Sequence, residues 1–265
     1  MNYYDYVELR SGRLTHMGQQ RQLNQDSFLA IDINRVSRSM GLPIGVYAVA
    51  DGMGGQSSGE VASALVIDTL IKRIEAEAIG PFLTSNALPF MDPTSWMREV
   101  TAEANQAIYD LRQEMGNDMG TTLVWTLMVE DTAYIANVGD SRAYLVNQDK
   151  LRQITQDHSL VEQMVTGGLI TAEEARVHPH RNVIYRTMGH APQVEADIFV
   201  EHLNDKDRLL LCSDGLSSML TDKALWQGAL FSPSLSQSCA HLVQMANEAG
   251  GKDNITVILV ELTVL

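Results

Sequence analysis

Acidic residues at the ends of short apolar runs constrain this chain more than any other feature of its sequence. Two carboxylates ~4 Å apart repel each other by roughly 4 kcal/mol at an effective dielectric of 20. A fold that gathers several of them in one place therefore needs cations. Each of the five that matter here stands beside glycine, serine or asparagine: Asp26, Asp51, Asp140, Asp214 and Asp253.

The positions of these aspartates predict where they meet and what they bind. Asp51 and Asp214 each follow an apolar run. Asp140 closes another run, and Asp26 and Asp253 precede one. In an antiparallel sheet the end of one strand lies beside the start of its neighbour, so we expect all five carboxylates at one edge. No histidine or cysteine accompanies them at metal-ligand spacing, and all-oxygen sites favour Mg²⁺, Mn²⁺ or Ca²⁺ over zinc.

Composition excludes several classes of protein. The chain of 265 residues has 19 Lys and Arg against 33 Asp and Glu, a formal net charge of −14. Such a surface repels nucleic acid and anionic lipid. Its two cysteines, Cys212 and Cys239, are too few for a disulfide scaffold, and we expect Cys212 to be a buried reduced thiol. No signal-peptide pattern and no long apolar run is visible, so we expect a cytoplasmic protein, with a monomer as the default.

Short strand-like runs and longer helical patterns alternate in blocks. Ser57 precedes Glu60 by three residues, a capping box that predicts the start of a helix. Proline and small polar residues from Gly80 to Pro93 predict a loop. Residue periodicity predicts further helices over residues 96–115, 222–230 and 235–249, and strands over residues 28–31, 45–50, 123–129, 132–138, 143–146, 151–154, 194–201, 208–212 and 255–261.

Tight polar turns between consecutive strands imply antiparallel pairing rather than a doubly wound parallel sheet. Residues 157–192 break the pattern, with short helical pieces and few strand signals. We interpret them as a flap inserted into one domain that spans residues 1–265. Long helices between blocks of antiparallel strands predict an α+β fold, with stacked sheets in the middle and helices outside.

Seven short motifs, in order along nearly the whole chain, make the sequence recognisable. The motifs cover residues 18–26, 49–55, 119–122, 136–142, 156–159, 211–215 and 250–257. Each motif alone is a weak signal, whereas the set is highly specific. With these motifs the chain resembles the metal-dependent serine/threonine protein phosphatases of the PPM (type 2C) family, in their compact bacterial form.

The resemblance implies an α-β-β-α four-layer sandwich, with two central antiparallel sheets between helices and a two-metal centre at one edge. It implies a hydrolase that removes phosphate from phosphoserine and phosphothreonine in proteins. Its partners would be phosphorylated proteins, the substrates of a bacterial serine/threonine kinase. Its cofactors would be two core Mn²⁺ or Mg²⁺ ions, with a weaker third site.

The resemblance also implies a role for each aspartate. Asp51 would bridge both metals, and the carbonyl oxygen of Gly52 would bind the second metal. Asp214 and Asp253 would hold the first metal. Asp140 would form the third site together with Asp214.

Two further residues would act on the water and the substrate. Asp26 would orient the metal-bound water, and Arg21 would hold the phosphate, because its planar donor fork matches phosphate oxygens. Two metals ~3.5–4 Å apart clamp the attacking and leaving oxygens of an in-line displacement, and the pKa of a bound water falls from 15.7 towards ~7. The activated water would attack phosphorus directly, so no serine or cysteine nucleophile is required.

The sequence departs from the family pattern at three positions. Gln25 stands where glutamate is frequent, which is expected to weaken the second metal site. Met53 stands where animal members carry a histidine that is a proposed general acid, and Gln56 stands where some bacterial relatives have histidine. The leaving alkoxide therefore lacks an obvious proton donor. Metal-bound water is our candidate, and we expect efficient hydrolysis of aryl phosphates, whose leaving group needs less protonation.

The sequence leaves two interpretations open for several residues. His158, beside Asp157, is either an anchor for the base of the flap, which we favour, or a second acid. His178 and His180 are either a solvated loop, which we favour, or a pair of metal ligands. Asn254 either holds a ligand or stabilises a turn.

Two other functions are alternatives to the enzyme. One is a catalytically silent regulatory module that binds a phosphoprotein, and the other is a Ca²⁺ module without chemistry. The complete set of Asp51, Asp214 and Asp253 favours the enzyme, because a silent module has no need to retain them.

Overall fold

Two antiparallel sheets lie at the centre of the fold. The structure is a computed structural model, and it describes residues 7–37, 40–55, 58–85 and 92–264. The strands in this part of the chain are β1 (Val7–His16), β2 (Asp26–Ser37), β3 (Met40–Met53), β4 (Gly120–Thr121), β5 (Leu123–Val129), β6 (Thr132–Val138), β7 (Arg142–Val146), β8 (Leu151–Gln153), β9 (Asp197–His202), β10 (Arg208–Cys212) and β11 (Ile255–Val264). The first sheet has the order β1-β11-β10-β7-β8. The second has the order β2-β3-β5-β6-β9, and the short β4 pairs with β3.

Helices cover the outer face of each sheet. Those that pack on the sheets are α1 (Ser58–Ile74), followed by a π-helical turn (Glu75–Ile79), α2 (Gly80–Ser85), α3 (Pro93–Met115), α6 (Asp214–Ser217), α7 (Asp222–Ala229) and α8 (Leu235–Glu248). Two short helices, α4 (Leu160–Thr166) and α5 (Ala172–Val177), lie in residues 157–192. No helix in the described part of the chain is both long and apolar enough to cross a membrane.

Side-chain alternation along β3 explains the layering. Val46, Ala48 and Ala50 pack in the cluster that contains α1 and α3, whereas Tyr47 and Val49 pack in the cluster between the two sheets. Successive residues of a strand point to opposite faces of a sheet, so a strand that is apolar at every position is buried on both sides. The sandwich therefore has four layers, as predicted.

The first sheet is covered in the same way on its other face. Cys212 of β10 and Leu259 of β11 pack in one cluster with Cys239 and Leu242 of α8. Both cysteines are free and buried, and burial raises the pKa of each thiol to about 12. The prediction of a buried reduced Cys212 is confirmed.

The structure corrects the predicted elements at two places. The predicted loop from Gly80 to Pro93 contains helix α2, because Pro81 stands in the first helical turn, where its missing N–H costs nothing. Pro93 likewise begins α3, after Asp92, whose carboxylate accepts a hydrogen bond from the N–H of Thr94 at 3.0 Å. Strand β1, whose apolar residues alternate irregularly with charged ones, was not predicted. The proposed cap at Ser57 lies outside the described residues.

Residues 157–192 carry two short helices, α4 and α5, and few strand contacts. Two isolated bridges join this segment to the rest of the chain or close it on itself: Ser159 with Ile184, and Thr121 with Met188. The segment thus has little pairing with either sheet.

Candidate metal centre

Asp26 and Asp51 stand directly opposite each other on β2 and β3. Like charges in this cross-strand position destabilise a sheet, so the pair indicates a functional site rather than a contribution to packing. Asp51 lies within β3, near its end, and does not follow the strand as the sequence suggested. The continuation of the strand past Asp51 is stabilised by pairing of Gly52 with Thr121 of β4.

The backbone of Asp51 is held on both sides. Its N–H donates to Oγ1 of Thr122 at 3.0 Å, and its carbonyl oxygen accepts from Oγ1 of Thr121 at 2.9 Å. The N–H of Thr122 donates to the same carbonyl at 2.9 Å. The two threonines therefore fix the direction in which the Asp51 side chain leaves the strand.

Gly52 is required by close packing between backbones. A Cβ atom here would lie 2.1 Å from the carbonyl oxygen of Gly59 and 2.6 Å from that of Gln25. The N–H of Gly52 donates to the Gln25 carbonyl at 3.1 Å. Any side chain at this position would push the Asp26–Asp51 pair away from the first turn of α1.

The other sheet contributes Asp214 and Asp253. Asp214 begins α6 immediately after β10 and Ser213, and Asp253 precedes β11. A Cβ atom on Gly215 would lie 1.9 Å from the carbonyl oxygen of Asn254. The glycine therefore allows these two turns, and with them the two carboxylates, to approach closely.

Electrostatics shows that the five aspartates, here called the acidic cluster, form one group. Burial raises the pKa of Asp51 well above its ordinary value, and Asp26, Asp214, Asp140 and Asp253 raise it further. All four other members of the cluster thus lie close enough to Asp51 to disfavour its ionisation.

The other buried members respond in the same direction. Burial raises the pKa of Asp26 to about 7, although hydroxyl donors from Thr256 and Ser213 oppose the shift. Burial and the neighbouring Asp253 raise the pKa of Asp214 to about 6. Burial and Asp214 raise the pKa of Asp140 well above its ordinary value. Each group would ionise more readily beside a cation.

Arg21 contacts the acidic cluster directly. Its Nη2 donates to Oδ2 of Asp253 at 2.6 Å, and about half of its side-chain surface is exposed. The backbone N–H of Asn254 donates to the other Asp253 oxygen at 2.9 Å. Arg21 therefore lies at the mouth of the site, with one carboxylate as its present partner.

Asn254 fastens the loop that carries Arg21. Its Oδ1 accepts from the N–H of Gln25 at 2.8 Å, and its Nδ2 donates to the carbonyls of Met17 at 3.0 Å and Leu23 at 2.8 Å. The whole amide group is used in these bonds. Of the two roles that the sequence left open, the contacts favour stabilisation of the backbone over direct contact with a ligand.

The donor set fits a hard divalent cation. Two buried carboxylate oxygens, Oδ1 of Asp26 and Oδ1 of Asp214, have no hydrogen-bond partner among the described residues. Uncompensated buried carboxylates are costly unless paired or bound to metal. In the same part of the chain, no three His, Cys, Asp or Glu side chains converge on one point at ligand distance. The Asp253 carboxylate is paired with Arg21 at 2.6 Å, and the carbonyl of Gly52 is a further oxygen donor.

Asp140 lies in the turn between β6 and β7, near an ion pair in which Asp157 is buried and Arg142 is partly exposed. Arg142 donates to both oxygens of Asp157, with its Nε at 2.9 Å and 3.1 Å and its Nη2 at 2.7 Å. Its Nη1 donates to the hydroxyl of Tyr144 at 3.0 Å. The Arg142 guanidinium also lowers the pKa of Asp140, against the larger effect of burial.

A cavity of about 440 Å³ lies beside this pair. Its lining includes Asp140 and Asp214 of the acidic cluster, Glu162 and Arg176 from residues 157–192, and Lys223 of α7. Arg176 donates to the carbonyl of Leu220 at 2.6 Å, which joins α5 to the end of α6. Space for part of a substrate is therefore available between residues 157–192 and the acidic cluster.

His158 is an anchor. Its Nδ1 accepts from the N–H of Gly139 at 3.0 Å, and its Nε2 lies 3.2 Å from Oδ2 of Asp197 and 3.0 Å from Nη1 of Arg186. The ring is buried, and burial lowers its pKa. Both nitrogens are engaged away from substrate, so these contacts favour the anchor over a second acid.

His178 and His180 form a turn on the surface. The N–H of His180 donates to Nδ1 of His178 at 3.1 Å, and the two rings are 5.6 Å apart. This local bond uses one of the nitrogens that a metal pair would need. The solvated-loop interpretation is therefore favoured.

Two sheets between helices, with an acidic cluster that draws on both, define the class of metal-dependent phosphoprotein phosphatases. The model of the family described as protein phosphatase 2C matches residues 15–259, and the chain belongs to that family. It is a metal-dependent protein serine/threonine phosphatase that uses Mn²⁺ or Mg²⁺.

Known proteins resemble the chain over most of its length. It is 40% identical to the serine/threonine phosphatase stp of Listeria welshimeri over 218 residues, which covers 82% of this chain and 84% of that protein. The crystal structure of Stp1 from Staphylococcus aureus is 36% identical, with a TM-score of 0.81, over 96% of this chain and 94% of that one. The catalytic domain of the phosphatase PstP, in complex with two manganese ions, is 31% identical with a TM-score of 0.78, over 97% and 99%.

Proposed function

We propose that the acidic cluster is the catalytic centre at which this phosphatase removes phosphate from phosphoserine and phosphothreonine. The observation that carries the proposal is the combination of Arg21, at the mouth of the site, with four carboxylates whose pKa values are all raised, of which Asp26 and Asp140 are buried and Asp51 and Asp214 are partly buried. Carboxylates in this arrangement suit bound cations, and a guanidinium beside them suits a dianionic phosphate.

The cations would be held by both sheets. Asp51 would bridge two ions, Asp214 and Asp253 would complete the first site, and the carbonyl of Gly52 would contribute to the second. Asp140 would form a weaker third site with Asp214, whose charge already raises the pKa of Asp140. When bound, Mn²⁺ or Mg²⁺ would acidify a water molecule and neutralise charge on the transferring phosphoryl group.

Asp26 would orient the attacking water. Its Oδ2 accepts from the hydroxyls of Ser213 at 2.8 Å and Thr256 at 2.7 Å, whereas its Oδ1 has no hydrogen-bond partner among the described residues. One oxygen is therefore fixed by the protein, and the other remains to accept a hydrogen bond from water.

Arg21 would exchange Asp253 for the substrate phosphate. Its side chain is half exposed, so rotation towards incoming substrate requires no change in the core. A cation held by Asp253 would make this carboxylate a weaker partner for Arg21, and the guanidinium would then be available to bind the phosphate oxygens. The fork geometry of arginine suits that role better than a lysine would.

In the described part of the chain, the side chains around the centre offer no histidine as general acid. Met53 cannot donate a proton, Gln56 lies outside the described residues, and His158 is engaged by Gly139 and Asp197. Water would therefore protonate the leaving group. Esters whose alkoxide is a weak base would be the fastest substrates.

The biological setting belongs to the same proposal. The substrates would be proteins phosphorylated by a bacterial serine/threonine kinase, and the enzyme would act as a monomer in the cytoplasm. Residues 1–265 would form a single phosphatase domain, with residues 157–192 as a flap beside the cavity. Loops that border a site carry specificity more often than the scaffold does, so the flap is the natural source of substrate preference.

Turnover by purified protein tests the proposal. We expect hydrolysis of p-nitrophenyl phosphate and of a phosphothreonine peptide with Mn²⁺, no turnover with EDTA, and loss of turnover in Asp253→Ala without loss of the folded core. Asp149→Asn, in an exposed turn, is the matched control. Activity of Asp253→Ala equal to that of the control would overturn the assignment of the centre.

A further inference from the structure

A chain of hydroxyl groups lies behind Asp26. Thr256 Oγ1 and Ser213 Oγ both donate to Oδ2 of Asp26, at 2.7 Å and 2.8 Å. Oγ1 of Thr15 lies 2.8 Å from Oγ1 of Thr256, and Nδ2 of Asn24 donates to Thr15 at 2.8 Å. We call these three hydroxyls, of Thr15, Thr256 and Ser213, the hydroxyl network.

The Asp26 carboxylate sets the direction of the hydrogen bonds in the network. An ionised carboxylate only accepts, so Thr256 and Ser213 both donate their single hydrogens to Asp26. Thr256, whose own hydrogen is used in that bond, then accepts from Thr15, and Thr15 accepts from the amide nitrogen of Asn24. Ser213 accepts from the backbone N–H of Thr256 at 2.9 Å, and the carbonyl of Asn254, at 3.4 Å, is a second and more distant acceptor for its hydrogen.

The network crosses between the two sheets. Asp26 belongs to β2 of the second sheet, whereas Thr15 and Thr256 are opposite each other on β1 and β11 of the first. Ser213 follows β10 of the first sheet. Ser213 and Thr256 are fully buried, so these bonds are not exchanged with bulk water.

The aspartates of the acidic cluster are likewise divided between the two sheets. Asp26 and Asp51 come from the second sheet, and Asp214 and Asp253 adjoin strands of the first. The hydroxyl network therefore links the two halves of the proposed catalytic centre at the edge where they meet. A carboxylate held by two donors on one oxygen has a defined rotamer, and the orientation of its second oxygen follows.

We propose that the hydroxyl network, extending to Thr15 outside the recognised motifs, is a positioning device for Asp26 and for the spacing between the two halves of the centre. This inference rests on the proposed function of Asp26. It assigns Thr15, Thr256 and Ser213 an effect on turnover through Asp26, without contact with the substrate. Threonine at positions 15 and 256 supplies the one hydrogen-bonding group that valine, of nearly the same shape, lacks.

Paired substitutions separate positioning from packing. Thr256→Val and Thr15→Val remove a hydroxyl at nearly constant volume, whereas Thr256→Ser and Thr15→Ser retain it. Thr126→Val is the matched control, because the Thr126 hydroxyl is buried and has no hydrogen-bond partner among the described residues.

The readouts are kcat and KM for p-nitrophenyl phosphate, the half-saturating Mn²⁺ concentration, and Tm. We expect Thr256→Val to lower kcat about 10- to 100-fold, the effect of one lost bond to a charged group, and Thr15→Val about 3- to 10-fold. KM should stay within about 2-fold of wild type, because Arg21 is unaffected and the bound substrate keeps its ground-state contacts. Both serine variants should recover most of the lost kcat, and Thr126→Val should behave as wild type.

If the hydroxyl network only stabilised the fold, the valine variants would behave differently. Valine variants would then melt at lower temperature but keep wild-type kcat per folded molecule, and that result would overturn the proposal. If Thr256→Val does not fold, Thr15→Val decides, because it leaves both direct donors to Asp26 in place. Wild-type protein without Mn²⁺-dependent turnover would overturn the proposed function itself, whereas active wild type with unaffected valine variants overturns only the network.

Discussion

Replacement of Asp214 by asparagine should stabilise the metal-free protein while abolishing its activity. Burial and Asp253 raise the pKa of Asp214 from 3.8 to about 6. At pH 8 the folded protein therefore bears the cost of an ionised carboxylate that the unfolded chain holds in water. The shift corresponds to about 3 kcal/mol at 1.36 kcal/mol per pKa unit. This value is an upper limit for Asp214→Asn, because the other four carboxylates still repel one another.

The sign of the pH dependence follows from the direction of the shift. Between pH 3.8 and about 6 the folded state holds a proton on Asp214 that the unfolded state has released. Stability of metal-free wild type therefore falls as pH rises through this window, and it stays low above it. The advantage of Asp214→Asn should be largest above pH 7 and should disappear below pH 4.

Thermal unfolding in EDTA measures the effect directly. For a chain of this size about 3 kcal/mol corresponds to ~6–12 °C in Tm, so we expect Asp214→Asn to melt up to that much higher than wild type at pH 8. Mn²⁺ should raise the Tm of wild type by mass action and leave Asp214→Asn nearly unchanged. An Asp214→Asn variant that melts at or below wild type in EDTA at pH 8 would refute the reasoning.

Three other perturbations should give distinct outcomes. Arg21→Ala should raise KM for a phosphopeptide about 10- to 100-fold through loss of charge-assisted bonds, with Tm unchanged, and an unaltered KM would contradict its role. Arg142→Met should destabilise the fold by about 3–5 kcal/mol in chemical denaturation, because it leaves Asp157 charged and buried, and Arg142→Met/Asp157→Asn should recover part of the loss. An aryl phosphate should be hydrolysed with higher kcat than an alkyl phosphate, and equal values would indicate a side-chain proton donor that we have not identified.

The sequence predicted the layers of the fold because its strands are strongly patterned. The runs 123–129 and 132–138 are apolar at nearly every position, and the structure has strands with the same bounds. Strand β1 was missed because Arg10 and Arg13 interrupt its apolar residues, and its stability comes from ten register pairs with β11, a contact between the two ends of the chain. Such long-range pairing leaves no local signal.

The proximity of Asp26 and Asp51 within the acidic cluster could be predicted from strand geometry. Antiparallel neighbours bring strand ends together, which placed Asp26 beside Asp51. The contact of Arg21 with Asp253 was not predictable, because side-chain rotation in a loop depends on charges supplied by distant segments. A turn role for Asn254 was one of its two interpretations, but the backbone partners of Asn254 and Gly52 were hidden, since any residue type provides the carbonyl groups that they contact.

Pairing of the first strand with the last has a consequence for synthesis of the protein. Strand β1 begins at Val7 and its partner β11 ends at Val264, so this edge of the first sheet forms only after residues 255–264 have been synthesised. Asp253 directly precedes that segment. A nascent chain that has not yet reached β11 therefore lacks this edge, and its acidic cluster is incomplete until Asp253 has been added.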